Sequence, residues 1–103
     1  MTVQITDCVS LDERGRCRIE ALIDASGLPA DEIEDLIETG VIAPADHHAQ
    51  PREFRLDAIV TVRTARRLRD DFQLDRQGVA LALTLLNRID TLQSQLNAAH
   101  FMR

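Results

Sequence analysis

A chain of 103 residues is long enough for one domain and too short for two, so residues 1–103 are expected to fold as a single domain. Apolar residues make up 45% of it and the only aromatic side chains are three phenylalanines, so a thin aliphatic core is expected, with oligomerisation as a natural supplement. Residues 1–53 hold twelve carboxylates and four arginines, whereas residues 54–103 hold five carboxylates and eight arginines. The acidic first half disfavours nucleic acid and favours a basic protein surface as partner.

Residues 1–55 show the order of elements of a winged helix-turn-helix. Thr2–Leu11 alternates loosely and predicts at best a short strand, and Asp12–Arg18 is a charged connector. The apolar spacing predicts a first helix over Arg18–Ala25, and a second over Ala30–Thr39 after a turn that contains glycine. Val41–Ile42 predicts a short strand, the candidate wing loop follows, and a second strand is predicted to begin at Phe54.

Residues 56–75 predict a third helix, Asp57–Phe72, and a turn in which Asp75 is placed to cap the next helix. Residues 76–103 predict a long last helix whose apolar positions step by three and four, as a coiled-coil seam does. Between Val79 and Leu86 this helix is apolar nearly all round, so it must be covered on more than one side. We therefore predict a mainly α fold that forms a homodimer through this seam: Leu85, Ile89, Leu92 and Leu96.

The solvent face of the predicted second helix is acidic. In a DNA-binding helix-turn-helix this helix enters the major groove and carries cations or amides, so the acidic face predicts that no nucleic acid is bound. Two readings stay open: the carboxylates only solvate the helix, or they meet a basic protein surface. The carboxylates of this face are Asp31, Glu34, Asp35 and Glu38.

The predicted third helix carries a basic cluster. Such a face binds an acidic partner, or it pairs with Asp70, Asp71 or the acidic half of its own chain. The members of the cluster are Arg63, Arg66, Arg67 and Arg69.

Other features indicate neither catalysis nor a metal. His47 and His48 are adjacent in a loop, where side chains rarely converge on one ion. Cys8 and Cys17 form no CxxC pair and are expected to be reduced thiols. The chain has no catalytic triad pattern or phosphate-binding glycine loop, so neither an enzyme nor a cofactor is expected. It also has no signal segment or membrane-length apolar run, so a cytoplasmic protein without a membrane partner is expected.

Several segments resemble known families. Glu38–Pro44 is similar to the junction between the second helix and the wing in the MerR-like family, and Phe54 with Asp57–Val60 falls where that family resumes after its wing. Arg66–Phe72 and Leu74–Leu86 look like the chaperone modulators called CbpM, and the part from Gly78 onward is the most specific. The charged connector before the first helix departs from this pattern.

The resemblance implies a function. CbpM proteins bind the J-domain of a DnaJ-like co-chaperone, CbpA, inhibit its stimulation of Hsp70 and interfere with its DNA binding, without catalysis or a cofactor. J-domains engage Hsp70 through a basic helix, so we hypothesise that the acidic face of the second helix contacts it, with Glu20 and Asp24 as additions. The alternative contact is the third helix around Arg63, Arg66 and Arg67. The alternative functions are a MerR-type DNA-binding transcriptional regulator and an adaptor for another protein.

Overall fold

The computed structural model describes residues 11–101, which form a small winged helix-turn-helix with two further helices. Strand β1 (Arg16–Cys17) leads into helices α1 (Ile19–Ser26) and α2 (Ala30–Glu38), and strand β2 (Phe54–Arg55) leads into α3 (Leu56–Phe72) and α4 (Arg76–Phe101). The predicted mainly α fold is confirmed, and the four predicted helices lie within about two residues of their expected bounds.

Glycine and proline set the tight turn between α1 and α2. Gly27 takes a left-handed conformation, with φ of 75°, and its N–H donates to the carbonyl of Ile23. Pro29 is extended and stands immediately before the first residue of α2. The turn is closed by the buried hydroxyl of Ser26, which donates to the carbonyl of Leu22 and accepts from the N–H of Leu28.

The strand predicted to begin at Phe54 is confirmed as β2, whereas its partner lies elsewhere than expected. β1 pairs antiparallel with β2, with Cys17 opposite Phe54, so the segment predicted as a charged connector contains a strand. That strand follows a turn in which the Asp12 carboxylate accepts the N–H groups of Arg14 and Arg16, at 2.9 Å each. The two arms of the candidate wing meet where the N–H of residue 45 donates to the carbonyl of residue 53.

The prediction of a strand at Val41–Ile42 is wrong. Both N–H groups donate to the carbonyl of Leu36, at 3.0 and 3.2 Å, and so close the C-terminal end of α2. They are therefore occupied and cannot form a strand ladder. The strand predicted between Thr2 and Leu11 falls almost wholly outside the described residues.

Helix α3 lies at the centre of the fold, packed against both α1 and α4. The largest fully buried side chains come from four elements and form one core: Leu22, Ile33, Phe54, Ile59 and Val62. The predicted cap of α4 is confirmed, because the Asp75 carboxylate accepts the N–H of Gly78 at 2.7 Å.

Helix α4 joins the core only through its first two turns. Val79 and Leu83 are its buried members, and every residue from 84 to 100 is exposed. The second half of the helix therefore extends away from the rest of the described chain.

Candidate partner-binding surface

The acidic face of α2 is paired with arginines of its own chain. Arg76, the first residue of α4, reaches Asp31 at 2.6 Å and Asp35 at 2.9 Å. Arg52, from the wing loop, donates hydrogen bonds to both carboxylate oxygens of Glu34, at 3.0 and 2.6 Å. The face expected to be either solvated or open to a partner is thus held against two other segments of the fold.

These pairs change the acidity of the carboxylates. The hydrogen bond from Arg76 holds the pKa of Asp31 below its ordinary value, and the two hydrogen bonds from Arg52 do the same for Glu34. The same contacts raise the pKa of the two guanidinium groups. Both carboxylates therefore stay charged at neutral pH and remain able to accept further hydrogen bonds.

Glu38 is the exception on this face. It is exposed, and no cation of the described chain lies within ion-pair distance of it. It is also the last residue of α2, where the helix dipole disfavours an anion and where the helix carries no basic residue. Of the four carboxylates predicted on the face of α2, Glu38 is therefore the one whose charge lacks compensation from residues 11–101.

The basic cluster is largely used inside the fold. Arg66 donates from Nη1 to the Ser26 carbonyl at 3.1 Å and from Nε to Asp70 at 2.7 Å. Arg63 donates to the carbonyl of Ala25 at 3.4 Å, so both arginines satisfy carbonyls at the end of α1.

The other two members of the cluster differ in exposure. Arg69 pairs with Glu32 of α2 at 3.0 Å, whereas Arg67 is exposed and has no ion-pair partner in the described part of the chain. Glu20 and Asp24 are exposed on α1. Of the predicted basic contacts, Arg67 is therefore the most available to a partner.

A cleft that was not predicted from the sequence lies beside the acidic face. It has a volume of about 510 Å³ and lies between α2, α3 and the first turns of α4. Its floor is apolar, and its rim carries charges that include Asp35, Glu38 and Arg76. Three helices from both halves of the chain build it, so no local pattern in the sequence could have indicated it. The floor residues are Leu28, Leu36, Ala65 and Val79.

The predicted seam of α4 lies on the projecting half of the helix and is exposed to solvent. The exposed fractions are 53% for Leu85, 51% for Ile89, 53% for Leu92 and 69% for Leu96. Four large apolar side chains along one helix are an unusual amount of apolar surface for a small domain to leave in water.

The histidines and cysteines are the remaining candidate site residues that the sequence offered. His47 and His48 are exposed in the wing loop. Cys17 is buried as a free thiol, and burial raises its pKa, whereas Cys8 lies outside the described residues. Across residues 11–101, no helix is both long and apolar enough to cross a bilayer.

Comparison with known proteins places this architecture in a class. The family model of MerR HTH family regulatory proteins matches residues 17–99, which is most of the chain. The fold described above, from β1 to the projecting α4, is therefore that of a MerR-type regulatory protein.

Curated relatives show to which family within this class the chain belongs. The chaperone modulatory protein CbpM of Pseudomonas entomophila is 31% identical over 84% of this chain and 80% of its own length. That of Citrobacter koseri is 33% identical over 68% of this chain and 69% of its own length. That of Escherichia coli O1:K1 is 31% identical over the same shares. The chain belongs to the CbpM family of chaperone modulatory proteins.

Proposed function

We propose that this protein is a chaperone modulator that binds the J-domain of a CbpA-type co-chaperone and inhibits its stimulation of Hsp70. The observation that carries the proposal is membership of a family whose curated members are named chaperone modulatory proteins. The acidic face of α2 supplies a contact surface compatible with the basic helix of a J-domain.

The proposed contact consists of the four carboxylates of α2, with Glu20 and Asp24 of α1 as additions. A carboxylate offers about four lone-pair sites, so a residue already bound by Arg76 or Arg52 still accepts a cation from a partner. Complementary charge of this kind speeds association and weakens with salt. Occupying the basic helix of the J-domain would exclude Hsp70 by competition.

The test measures binding and inhibition together. The isolated J-domain is titrated into the protein by calorimetry, and J-domain-stimulated Hsp70 ATPase is followed as the protein is added. Reversing Glu34 and Asp35 to lysine is expected to weaken binding by about tenfold or more, because two attractive contacts become repulsive. This change also breaks the pairs with Arg52 and Arg76, so circular dichroism must first show a folded variant.

A matched control carries the same change of charge elsewhere. Glu13 and Asp90 are exposed residues outside α2, and their double reversal to lysine should leave J-domain affinity within about twofold at physiological salt. Unchanged affinity in the α2 variant would move the contact to the face of α3 that presents Arg67. A wild-type protein that binds no J-domain would refute the proposed function itself.

We further propose that the protein acts as a homodimer joined through α4. The support is the exposed seam from Leu85 to Leu96, which repeats every three or four residues along a part of the helix that nothing in the described chain covers. Sedimentation velocity at tens of micromolar should give twice the mass of one chain. A single monomeric species at that concentration would contradict the dimer.

A MerR-type DNA-binding regulator remains the second candidate because the family model is of regulatory helix-turn-helix proteins. A regulator of this kind needs cations on α2, whose charged side chains are all acidic, and Arg52 of the wing is already bound to Glu34. A gel shift at low salt with random-sequence duplex DNA separates the two functions. Retarded DNA in the absence of a J-domain protein would favour the regulator.

A further inference from the structure

The cleft between α2, α3 and α4 has the form of a receptor for a side chain. Its volume of about 510 Å³ falls within the range of about 300–1,000 Å³ common for ligand pockets. Its floor is apolar and its mouth is charged, which is the usual arrangement where an apolar anchor is buried and polar groups orient it.

The charges at the mouth favour a basic occupant. Glu32, Asp35 and Glu38 line the cleft together with Arg69 and Arg76, so its lining carries one more negative than positive charge. Both arginines are engaged by carboxylates, whereas Glu38 is not engaged by any residue from 11 to 101. A cation brought beside Glu38 would also offset its unfavourable position at the C-terminal end of α2.

We propose that this cleft receives an apolar side chain from a basic amphipathic helix of the partner, while Glu38 pairs with a cation one turn away on the same helix. Residues three or four apart lie on one face of a helix, so one partner helix can supply both groups. The contact deepens the proposed function, on which it rests, by adding a buried anchor to a surface otherwise held by charge alone.

A second copy of this chain fits the cleft less well. Its exposed apolar helix, from residue 84 to residue 100, offers Arg88 as its sole arginine or lysine, and Asp90 stands two residues away. That segment therefore lacks the surplus positive charge that the mouth of the cleft favours.

A substitution that fills the cleft from one of its walls tests whether the cleft receives an apolar side chain of the partner. Ala80 is half-buried on α4 and lines the cleft, so Ala80→Met places a flexible apolar chain where the partner's would lie. Ala98→Met is the matched control, because it makes the same change on the exposed end of the same helix and alanine and methionine are both good helix formers. With the isolated J-domain as probe, calorimetry should show affinity about tenfold weaker for A80M and unchanged for A98M.

Removing the uncompensated charge of Glu38 tests the proposed pairing with a cation of the partner helix. Glu38→Gln should weaken J-domain binding about threefold to tenfold at low salt and by less at high salt, whereas Glu13→Gln should leave it unchanged. Should A80M fail to fold, Gln77→Met replaces it, because Gln77 lines the same cleft from the exposed side of α4.

The outcomes separate this contact from the function on which it rests. A wild-type protein that does not bind the J-domain refutes the proposed function and the contact with it. A folded cleft-filling variant that binds as tightly as wild type overturns the contact alone and leaves the function standing. Weakened binding by both the cleft-filling variant and E38Q, with both controls unchanged, supports the contact.

Discussion

Gly27 and Gly40 offer a matched pair of substitutions that measures what Arg66 does in the fold. Both glycines have left-handed backbones, with φ of 75° and 82°. A methyl group at Gly27 would overlap the guanidinium of Arg66, whereas one at Gly40 meets nothing within 4 Å. Gly40→Ala therefore reports the backbone cost alone, about 1–2 kcal/mol, and Gly27→Ala reports that cost together with the displacement of Arg66.

The extra cost at Gly27 is the hydrogen bond that Arg66 gives up. The end of an arginine side chain can swing aside, so overlap by itself costs little. Moving it breaks the hydrogen bond to the Ser26 carbonyl, 3.1 Å long. Bonds to charged groups contribute about 1.5–3 kcal/mol, and the 41% exposure of this side chain lowers the value to about 1 kcal/mol. Gly27→Ala should thus cost about 2–3 kcal/mol in total.

Urea unfolding at pH 7, followed by circular dichroism, measures these free energies. The difference of about 1 kcal/mol between the two glycine variants corresponds to roughly 4–8 °C in Tm for a domain of about this size. In the background of Arg66→Ala, the cost of Gly27→Ala should fall to that of Gly40→Ala. Equal costs for the two glycine variants, or strict additivity of Gly27→Ala with Arg66→Ala, would refute the structural role of Arg66.

Phe54→Ala empties a fully buried site and should cost about 3–5 kcal/mol in urea unfolding, whereas Phe72→Ala, at a position 67% exposed, should cost under about 0.5 kcal/mol; similar costs would contradict this core. Leu92→Glu should give a monomer in sedimentation and its off-seam neighbour Gln93→Glu a dimer, and two dimers would exclude the seam. The lowered pKa of Glu34 adds stability above the ordinary titration range of a glutamate, near pH 4, that is lost as the pH falls through the lowered value. Glu34→Gln should therefore lower the unfolding free energy at pH 7 but not near pH 2, and an equal loss at both would contradict the pairing.

The arginines show why charge in a sequence does not identify a partner. The acidic face of α2 and the basic cluster of α3 were both recognisable as candidate contacts. In the fold, Arg69 and Arg76 face α2 and neutralise part of it, and Arg66 is bound at the end of α1. A net charge along one helix says nothing about which cation lies opposite, because that depends on how the helices cross.

Residues within a few positions of each other in the sequence were sufficient to predict the helices and the family. The apolar spacing of Ile33 and Leu36, the turn at Gly27 and the cap at Asp75 all depend on residues within a few positions of each other, so they could be read without a fold. The same holds for the segments that resemble CbpM. By contrast, the two-residue strand at Arg16–Cys17 is too short to show any period, and its partner lies nearly forty residues away.

Tertiary structure alone decided which of the candidate residues remain open to a partner. It paired Asp31, Glu34 and Asp35 with distant arginines, left Glu38 uncompensated among the described residues, and formed the cleft from three helices. It also placed the seam of α4 on a segment that extends beyond the core. The physical reason is that helix formation depends on neighbours in sequence, whereas ion pairing and cleft formation depend on neighbours in space, which only the packing of α2, α3 and α4 creates.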